Sequence, residues 1–409
     1  MLSDRTFVIV GAGHAGGRAA QALRAAGFEG RLVLVGEEAF VPYERPPLSK
    51  ELLTTDAGLE KAQLNPESFY VEKNIELIRN VRGESIDPKA HTVGLSDGQT
   101  IRYHKLMLTT GARVRRLTLP GADLPGVHYI RDFNDTREIR EILKKGGRVA
   151  VIGGGFIGLE AAASARKRGC DVTVLEMADR LMGRAVAPEI GGFFADYHRK
   201  QGVDLRLGVK IERIEGAGRA ERVVLAGGEA IDCVLVIVGV GIVPNVEIAQ
   251  AAGLAIENGI KVDEFGRTSD PDIYAAGDVA NLPLKSLGGR RVRLESYQNA
   301  QNTAMAVARN MLGEPKEVGE TPWVWSDQYD LNLQMVGMPE KWSKLVYRGN
   351  VEDGRFTVFY LDEANRIVGV NTVNNGRERT LSQRLMEAGQ PVDPVKLADV
   401  TLRLNKLND

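Results

Sequence analysis

One pattern occurs twice in this chain, and it constrains the fold more than any other feature. Residues 6–37 run as a strand (Thr6–Val10), a turn with Gly11, Gly13 and Gly16, a small-residue helix to Ala26, Gly27, and a strand (Arg31–Val35) ending near Glu37. Residues 148–176 repeat the plan: strand (Arg148–Ile152), turn with Gly153, Gly155 and Gly158, helix to Lys167, Gly169, and strand (Asp171–Leu175) ending at Glu176. Each copy is a βαβ unit with a G-x-G-x-x-G turn. The first glycine makes the tight passage from strand to helix. The second lets a pyrophosphate approach the backbone, and the third lets the helix pack on the strand. The helix N-terminus offers free N–H groups and the positive end of its dipole to the anion. An acid closing the second strand accepts hydrogen bonds from ribose hydroxyls. A single turn of this kind is a weak signal. Two of them, each between strand and helix with the acid in place, predict two dinucleotide sites.

Parallel apolar strands with crossover helices imply a doubly wound α/β architecture. Between the units, Asp97-Gly98 marks a hairpin, and Lys105–Thr110 reads as a buried strand ending at Gly111. A second such run, Cys233–Val238, leads into Gly239-Val-Gly-Ile-Val-Pro-Asn245. The second unit is therefore expected as an insertion: residues 1–113 and 243–320 form one dinucleotide domain, and 114–242 the other. From about Thr321 the composition changes. Trp323, Trp325 and Trp342, all the tryptophans of the chain, fall there. Strands over Lys344–Tyr347, Arg355–Leu361 and Ile367–Asn371, then a helix from about Thr380, predict a C-terminal α+β domain over 321–409.

The chain has 409 residues with a formal net charge of -1, which points to neither nucleic acid nor a membrane surface. No uninterrupted apolar stretch suits a transmembrane helix, and the opening residues show no secretory signal, so a cytoplasmic protein is expected. Cys170 and Cys233 lie far apart in no metal or redox spacing, which excludes a disulfide framework. The five histidines show no ligand spacing, so no metal site is expected.

Several longer segments carry a resemblance. They are Val10-Gly-Ala-Gly-His-Ala-Gly16, Pro42-Tyr-Glu-Arg-Pro-Pro-Leu-Ser-Lys50, Thr109-Thr-Gly-Ala112, Gly153-Gly-Gly-Phe-Ile-Gly-Leu-Glu160, Thr268-Ser-Asp-Pro-Asp-Ile-Tyr-Ala-Ala-Gly-Asp-Val279, Glu295-Ser-Tyr-Gln-Asn-Ala300 and Pro322-Trp-Val-Trp-Ser-Asp-Gln328. In this order they resemble the FAD-dependent pyridine-nucleotide reductases of two-dinucleotide-domain (glutathione-reductase-like) fold, specifically the ferredoxin reductases of oxygenase systems. The resemblance implies FAD in the first fold and NADH in the inserted one. It assigns Gly11, Gly13, His14, Ala15, Gly16, Glu37, Arg45, Lys50, Thr110, Gly111, Arg131, Asp278, Glu295, Ser296 and Trp325 to FAD. To NAD it assigns Gly153, Gly155, Phe156, Ile157, Gly158, Glu160, Glu176, Arg184 and Gly239. A carboxylate at Glu176 suits the 2′-hydroxyl of NADH and repels the 2′-phosphate of NADPH.

By the same resemblance Lys50 lies near the flavin and pairs with Glu160, a catalytic role read as electrostatic, and Trp325 with Trp323 lines the face where nicotinamide or acceptor approaches. The alternatives are an ordinary exposed ion pair for the first, worth about 0–1 kcal/mol, and a packed pair on one strand face for the second. Disulfide-directed reductases of this fold carry a redox cysteine pair beside the flavin, and related peroxidases and oxidases a single cysteine near the same place; Pro42–Lys50 contains none. The expected partner is a [2Fe–2S] ferredoxin, of Rieske type or Cys-ligated, serving a terminal oxygenase, with Lys341, Lys344, Arg348, Arg377, Arg379 and Arg384 as docking candidates. The chain is a monomer or a homodimer on this reading. Two alternatives stand beside it: a reductase of a small acceptor such as monodehydroascorbate or a quinone, and an NADH-sensing regulatory flavoprotein akin to apoptosis-inducing factor.

Overall fold

The computed structural model describes residues 4–407. The chain divides into two compact units. The first holds the residues up to Arg45, Leu59–Arg113 and Val243–Val324. The second holds Pro46–Gly58, Val114–Ile242 and the residues from Trp325 onward.

The first unit is built on a five-stranded parallel sheet, in the order Ile273–Ala275, Lys105–Leu108, Thr6–Val10, Arg31–Val35, Ile75–Ile78. Its strands read as near-continuous apolar runs because both faces are covered: Phe7, Val8 and Ile9, and Leu106, Met107 and Leu108, are wholly buried. The helix of the first repeat, His14–Ala25, packs against the helix Tyr297–Met311. A three-stranded antiparallel sheet, Gly83–Asp87, Thr92–Leu95 and Thr100–Arg102, turns at Gly98, whose φ of +86° a hairpin tip requires.

The second unit repeats the plan. Its parallel sheet runs Asp204–Arg206, Asp171–Leu175, Arg148–Ile152, Leu235–Val238, Val127–Tyr129, and the helix Phe156–Lys167 follows the glycine turn. The same unit carries a five-stranded sheet ordered Trp323–Gln328, Leu331–Gly337, Ile367–Val373, Arg355–Leu361, Lys344–Asn350. The sequence reading ends two of these strands early and leaves Leu331–Gly337 out. Its helix starts at Gly376, four residues before the expected Thr380. The cause is Glu378: its carboxylate accepts from Arg348 Nε at 2.7 Å and from Thr357 Oγ1 at 2.7 Å, which draws the first turn onto the sheet.

Pro46–Gly58 belongs to the second unit. Pro46–Ser49 forms a 3-10 turn and Glu51–Thr54 a short helix. Two consecutive prolines fix φ at its entry. Side chains from two helices then hold its carbonyls: Ser164 Oγ donates to Ser49 O at 2.7 Å, Arg140 Nη1 to Ala57 O at 2.7 Å, and Arg168 Nε to Leu53 O at 3.0 Å. These three carbonyls are thereby paired, and Ser49 and Lys50 are presented in a defined place.

Candidate functional site

The two glycine turns have the same geometry, and it separates the roles of the three glycines. Gly11 and Gly153 sit at φ +113° and +110°, where a Cβ would lie 2.2 Å from Thr109 O and 2.4 Å from Gly239 O. Their N–H groups donate to Val35 O at 2.8 Å and Leu175 O at 2.9 Å. At Gly16 and Gly158 a Cβ would meet the carbonyl oxygen of the first glycine at 1.9 and 2.1 Å. Those four positions are fixed by packing. Gly13 and Gly155 differ. Their φ values, -79° and -85°, suit any residue. Nothing lies within 4 Å of a Cβ at Gly155, and only Arg45 Nη2, at 3.8 Å, near one at Gly13. Open space over the second glycine, at a helix N-terminus whose N–H groups are uncapped by any side chain, is a cradle for a pyrophosphate.

In the first unit a cation stands over that cradle. Arg45 is held by Glu38 Oε1 at 2.7 Å. Burial disfavours its charge, but the Tyr43 phenol and the carboxylates of Glu38 and Asp278 outweigh that, and its pKa is raised. His14, the first residue of the helix, is buried with both ring nitrogens lacking a protein partner. Burial, then the charges of Arg18 and Arg45, lower its pKa to about 3, so the imidazole is neutral. Its ring lies 4.4 Å from that of Tyr297, whose hydroxyl donates to Glu44 Oε1 at 2.7 Å. Ala15 lies against Gly277, where a Cβ would come within 2.9 Å of the Ala15 side chain. Thr110 Oγ1 donates to Asn245 O at 2.7 Å, and Gly111 turns at φ +61°. Asp278 lies on the short turn Gly277–Val279. Glu295 pairs with Arg293 at 2.6 Å, and Ser296 caps Tyr297–Met311 by accepting from Asn299 N at 3.1 Å. Glu37 lies just beyond its strand, exposed, 3.4 Å from Arg82. The sequence reading assigns no role to Glu38, Tyr43, Glu44 or Tyr297, although Tyr43, Glu44 and Tyr297 lie inside motifs it singles out.

In the second unit Glu176 is tied to the turn itself: Oε2 accepts from Gly154 N at 2.5 Å and Oε1 from Ala178 N at 2.7 Å. The carboxylate is fixed beside the cradle. Gly239 packs on the turn, where its Cβ would lie 3.1 Å from Gly158 N. Phe156 and Ile157 open the helix, Ile157 exposed. Arg184 is exposed, with a guanidinium nitrogen 4.0 Å from the Cβ position of Gly241, while Arg180 turns back onto Gly183 O at 2.7 Å. Arg131 precedes the helix Phe133–Leu143, and its N–H donates to Asp135 Oδ2 at 2.8 Å.

Lys50 and Glu160 are brought together in the second unit. Lys50 Nζ lies 2.7 Å from Glu160 Oε2, with Glu160 3% exposed, so this is no ordinary surface pair. Ser49 Oγ donates to the same oxygen at 2.6 Å, and Ser326 Oγ donates to Oε1 at 2.7 Å. Behind Ser326 stand Gln328 and His198, both fully buried. A cavity of about 240 Å³ opens beside the pair, lined by residues including Lys50, Glu160, Lys167, Asp327 and Tyr329. Trp323 and Trp325 are half-buried and alternate along their strand with buried Ser326 and Gln328. The sequence reading assigns no role to Ser49, Ser326, Gln328 or His198. For Ser326 and Gln328 the period-2 alternation with the tryptophans was a usable signal; for His198 there was none.

Arg348 is not a docking residue. It is 4% exposed, with its guanidinium bonded to Glu378 and to the carbonyls of Leu397, Asp399 and Leu402. It ties down the C-terminal segment. Both cysteines are free and buried, and burial raises both thiols, that of Cys233 to about 11. Neither is a nucleophile at neutral pH. Among the described residues no helix is long and apolar enough to cross a membrane.

Comparison with known proteins agrees with this geometry. Residues 5–304 match the model of the pyridine nucleotide-disulphide oxidoreductases, and 323–408 that of the reductase C-terminal domain. The chain is 44% identical over 405 residues to the ferredoxin--NAD(+) reductase component of an anthranilate 1,2-dioxygenase system from Burkholderia cepacia, covering 98% of this chain and 99% of that one. It is 37% identical to putidaredoxin reductase of Pseudomonas putida, covering 100% and 97%. Among solved structures, the ferredoxin reductase for the CYP199A2 system of Rhodopseudomonas palustris superposes with a TM-score of 0.95 at 40% identity, covering 98% and 99%. A covalent putidaredoxin reductase–putidaredoxin complex superposes equally well, at 0.95, 37% identity and coverage of 99% and 98%.

Proposed function

Since the chain belongs to the pyridine nucleotide-disulphide oxidoreductase family and ends in a reductase C-terminal domain, we propose that it is an FAD-dependent NADH:ferredoxin reductase. It takes hydride from NADH and supplies electrons singly to a [2Fe–2S] ferredoxin of a mono- or dioxygenase system, in the cytoplasm. One observation carries the reading: two open glycine cradles stand in one chain whose only thiols are buried and of raised pKa. Electrons gained from a nicotinamide do not leave through a protein disulfide and go to an external acceptor.

FAD, when bound, supplies the redox chemistry, accepting electrons in a pair and giving them up one at a time. The protein's residues bind, orient and polarise. Gly11, Gly13 and Gly16 with the helix N-terminus hold the pyrophosphate, and Arg45 adds charge over Gly13. His14, neutral with free ring nitrogens, fits a hydrogen bond to the group seated there. Ala15, Thr110, Gly111, Asp278, Glu295 and Ser296 form the rest of this cradle. Glu37 suits the FAD ribose, and Glu176 that of NADH. Gly153, Gly155 and Gly158, with Phe156, Ile157, Gly239 and Arg184, frame the NADH site. We assign Lys50, held by Glu160, to favouring negative charge on the reduced ring. Arg131, Trp323 and Trp325 complete the set at the flavin.

The test is NADH-driven cytochrome c reduction by the purified protein, with and without a [2Fe–2S] ferredoxin. Strong stimulation with NADH and little with NADPH is expected. Bleaching by NADH without any stimulation would transfer the assignment to a small-molecule acceptor.

A further inference from the structure

We propose that Gln328 and His198, acting through Ser326, are positioning residues that fix the orientation of the Glu160 carboxylate and thereby the place of the Lys50 ammonium. The proposal rests on the reductase reading. Hydrogen-bond bookkeeping carries it, because the carboxylate dictates the polarity of everything behind it.

An ionised carboxylate only accepts, so the single hydroxyl proton of Ser326 goes to Glu160 Oε1 at 2.7 Å. Ser326 Oγ must then accept from its other neighbour, which turns the amide nitrogen of Gln328 toward it, at 3.1 Å. The amide oxygen of Gln328 therefore faces His198 and accepts from Nε2–H at 2.8 Å. That leaves Nδ1 of His198 unprotonated, where it accepts from the Tyr329 hydroxyl at 3.3 Å. Burial pushes the His198 imidazole below its ordinary pKa, against the opposing hydrogen bond to Gln328, so the neutral tautomer is the stable one. Every link donates toward Glu160, from Tyr329 through His198, Gln328 and Ser326. Ser326, Gln328 and His198 are 0% exposed, so no water competes for these positions. A chain of buried hydrogen bonds of one polarity strengthens each member. Its effect is to leave the carboxylate one orientation, with Oε2 turned to Ser49 and Lys50. The residues that supply it come from the helix Pro188–Lys200 and the strand Trp323–Gln328, well separated in sequence from the glycine turn.

The experiment uses the FAD-loaded protein and compares Gln328→Leu, Gln328→Glu, Glu160→Gln and the double variant Glu160→Gln/Gln328→Leu. The first readout is the anaerobic rate of flavin bleaching by saturating NADH, which needs no ferredoxin. Gln328→Leu is expected to slow it about tenfold, the consequence of losing the neutral hydrogen bond that aims the Ser326 hydroxyl at Glu160, with NADH affinity unchanged within about twofold. Gln328→Glu keeps the size of the side chain but cannot donate to Ser326, and the same loss is expected. In the Glu160→Gln background, Gln328→Leu adds nothing, because its effect passes through the carboxylate. The second readout is acylation of Lys50 by acetic anhydride, followed by peptide mass spectrometry. It should be faster in Gln328→Leu and Gln328→Glu than in the unaltered protein. Additive rate losses in the double variant, an unimpaired Gln328→Glu protein, or unchanged Lys50 acylation would each overturn the positioning role. A parent protein that NADH does not bleach would overturn the reductase reading itself, a result visible before any variant is made.

Discussion

Adding one methyl group at Gly155 and at Gly158, three residues apart in the same turn, should do opposite things. At Gly158 the new Cβ would lie 2.1 Å from Gly153 O, against a normal carbon–oxygen contact of about 3.3 Å. The helix must retreat by roughly 1.2 Å from the strand it packs on, in a core already at crystal-like density. Overpacking of this severity costs about 3 kcal/mol, a fall in Tm of roughly 6–12 °C for a unit of this size. At Gly155 the Cβ meets nothing within 4 Å, and φ -85°, ψ -179° suits alanine. The weaker N-cap preference of alanine is offset by the lower entropy of its unfolded chain, so Tm should move by no more than about 2 °C. The added methyl fills the space through which a pyrophosphate reaches the backbone. NAD+ affinity should fall about 10- to 100-fold, or about 1.4–2.8 kcal/mol. Thermal unfolding and calorimetric titration with NAD+ of the FAD-loaded variants separate the two effects. Normal NAD+ binding by Gly155→Ala, or melting as early as Gly158→Ala, would contradict these roles of the two glycines.

Three further outcomes are expected. Arg348→Met leaves the half-buried Glu378 carboxylate without its guanidinium and frees three carbonyls; a loss of about 3 kcal/mol in urea unfolding is expected, with the C-terminal segment becoming protease-sensitive. Glu176→Gln cannot accept from both Gly154 and Ala178, and it removes the charge that repels a 2′-phosphate; the NADH-over-NADPH ratio in kcat/KM should fall about tenfold. His14 has its pKa depressed to about 3 from an unfolded value of 6.5, so between those values the unfolded chain binds more protons and folding weakens as pH falls. The apoprotein should lose about 2 kcal/mol from this group between pH 7 and pH 5, and a His14→Gln apoprotein should not, as measured by urea titration at both values.

Much of this was legible in the sequence because the physics is local. A strand, a turn needing positive φ and a small-residue helix announce themselves within a few tens of residues, and Gly11 and Gly153 adopt the forced conformations. The resemblance to oxygenase ferredoxin reductases extended that reading across the whole chain, and the family comparisons support it. What was not legible was long-range. Nothing near His198 marks it as a partner of Gln328, 130 residues away. Arg348 reads as a surface cation, because a basic residue on a strand gives no hint that the C-terminal segment folds over it. The start of the helix at Gly376 was missed because its first turn is held by Glu378 bonding to another strand, a tertiary contact overriding a poor local former. Ser49 lay in plain view inside the Pro42–Lys50 motif, yet its bond to Glu160 depends on the fold of Pro46–Gly58 within the second unit.

The most direct test of the central claim is an anaerobic count of electrons. The FAD-loaded protein is reduced with one equivalent of NADH and then titrated with oxidised [2Fe–2S] ferredoxin while both chromophores are followed. Full reoxidation is expected, with about two ferredoxins consumed per NADH, since a hydride carries two electrons and each cluster takes one. A protein that stays reduced whatever ferredoxin is added, yet is reoxidised by a quinone, would contradict it.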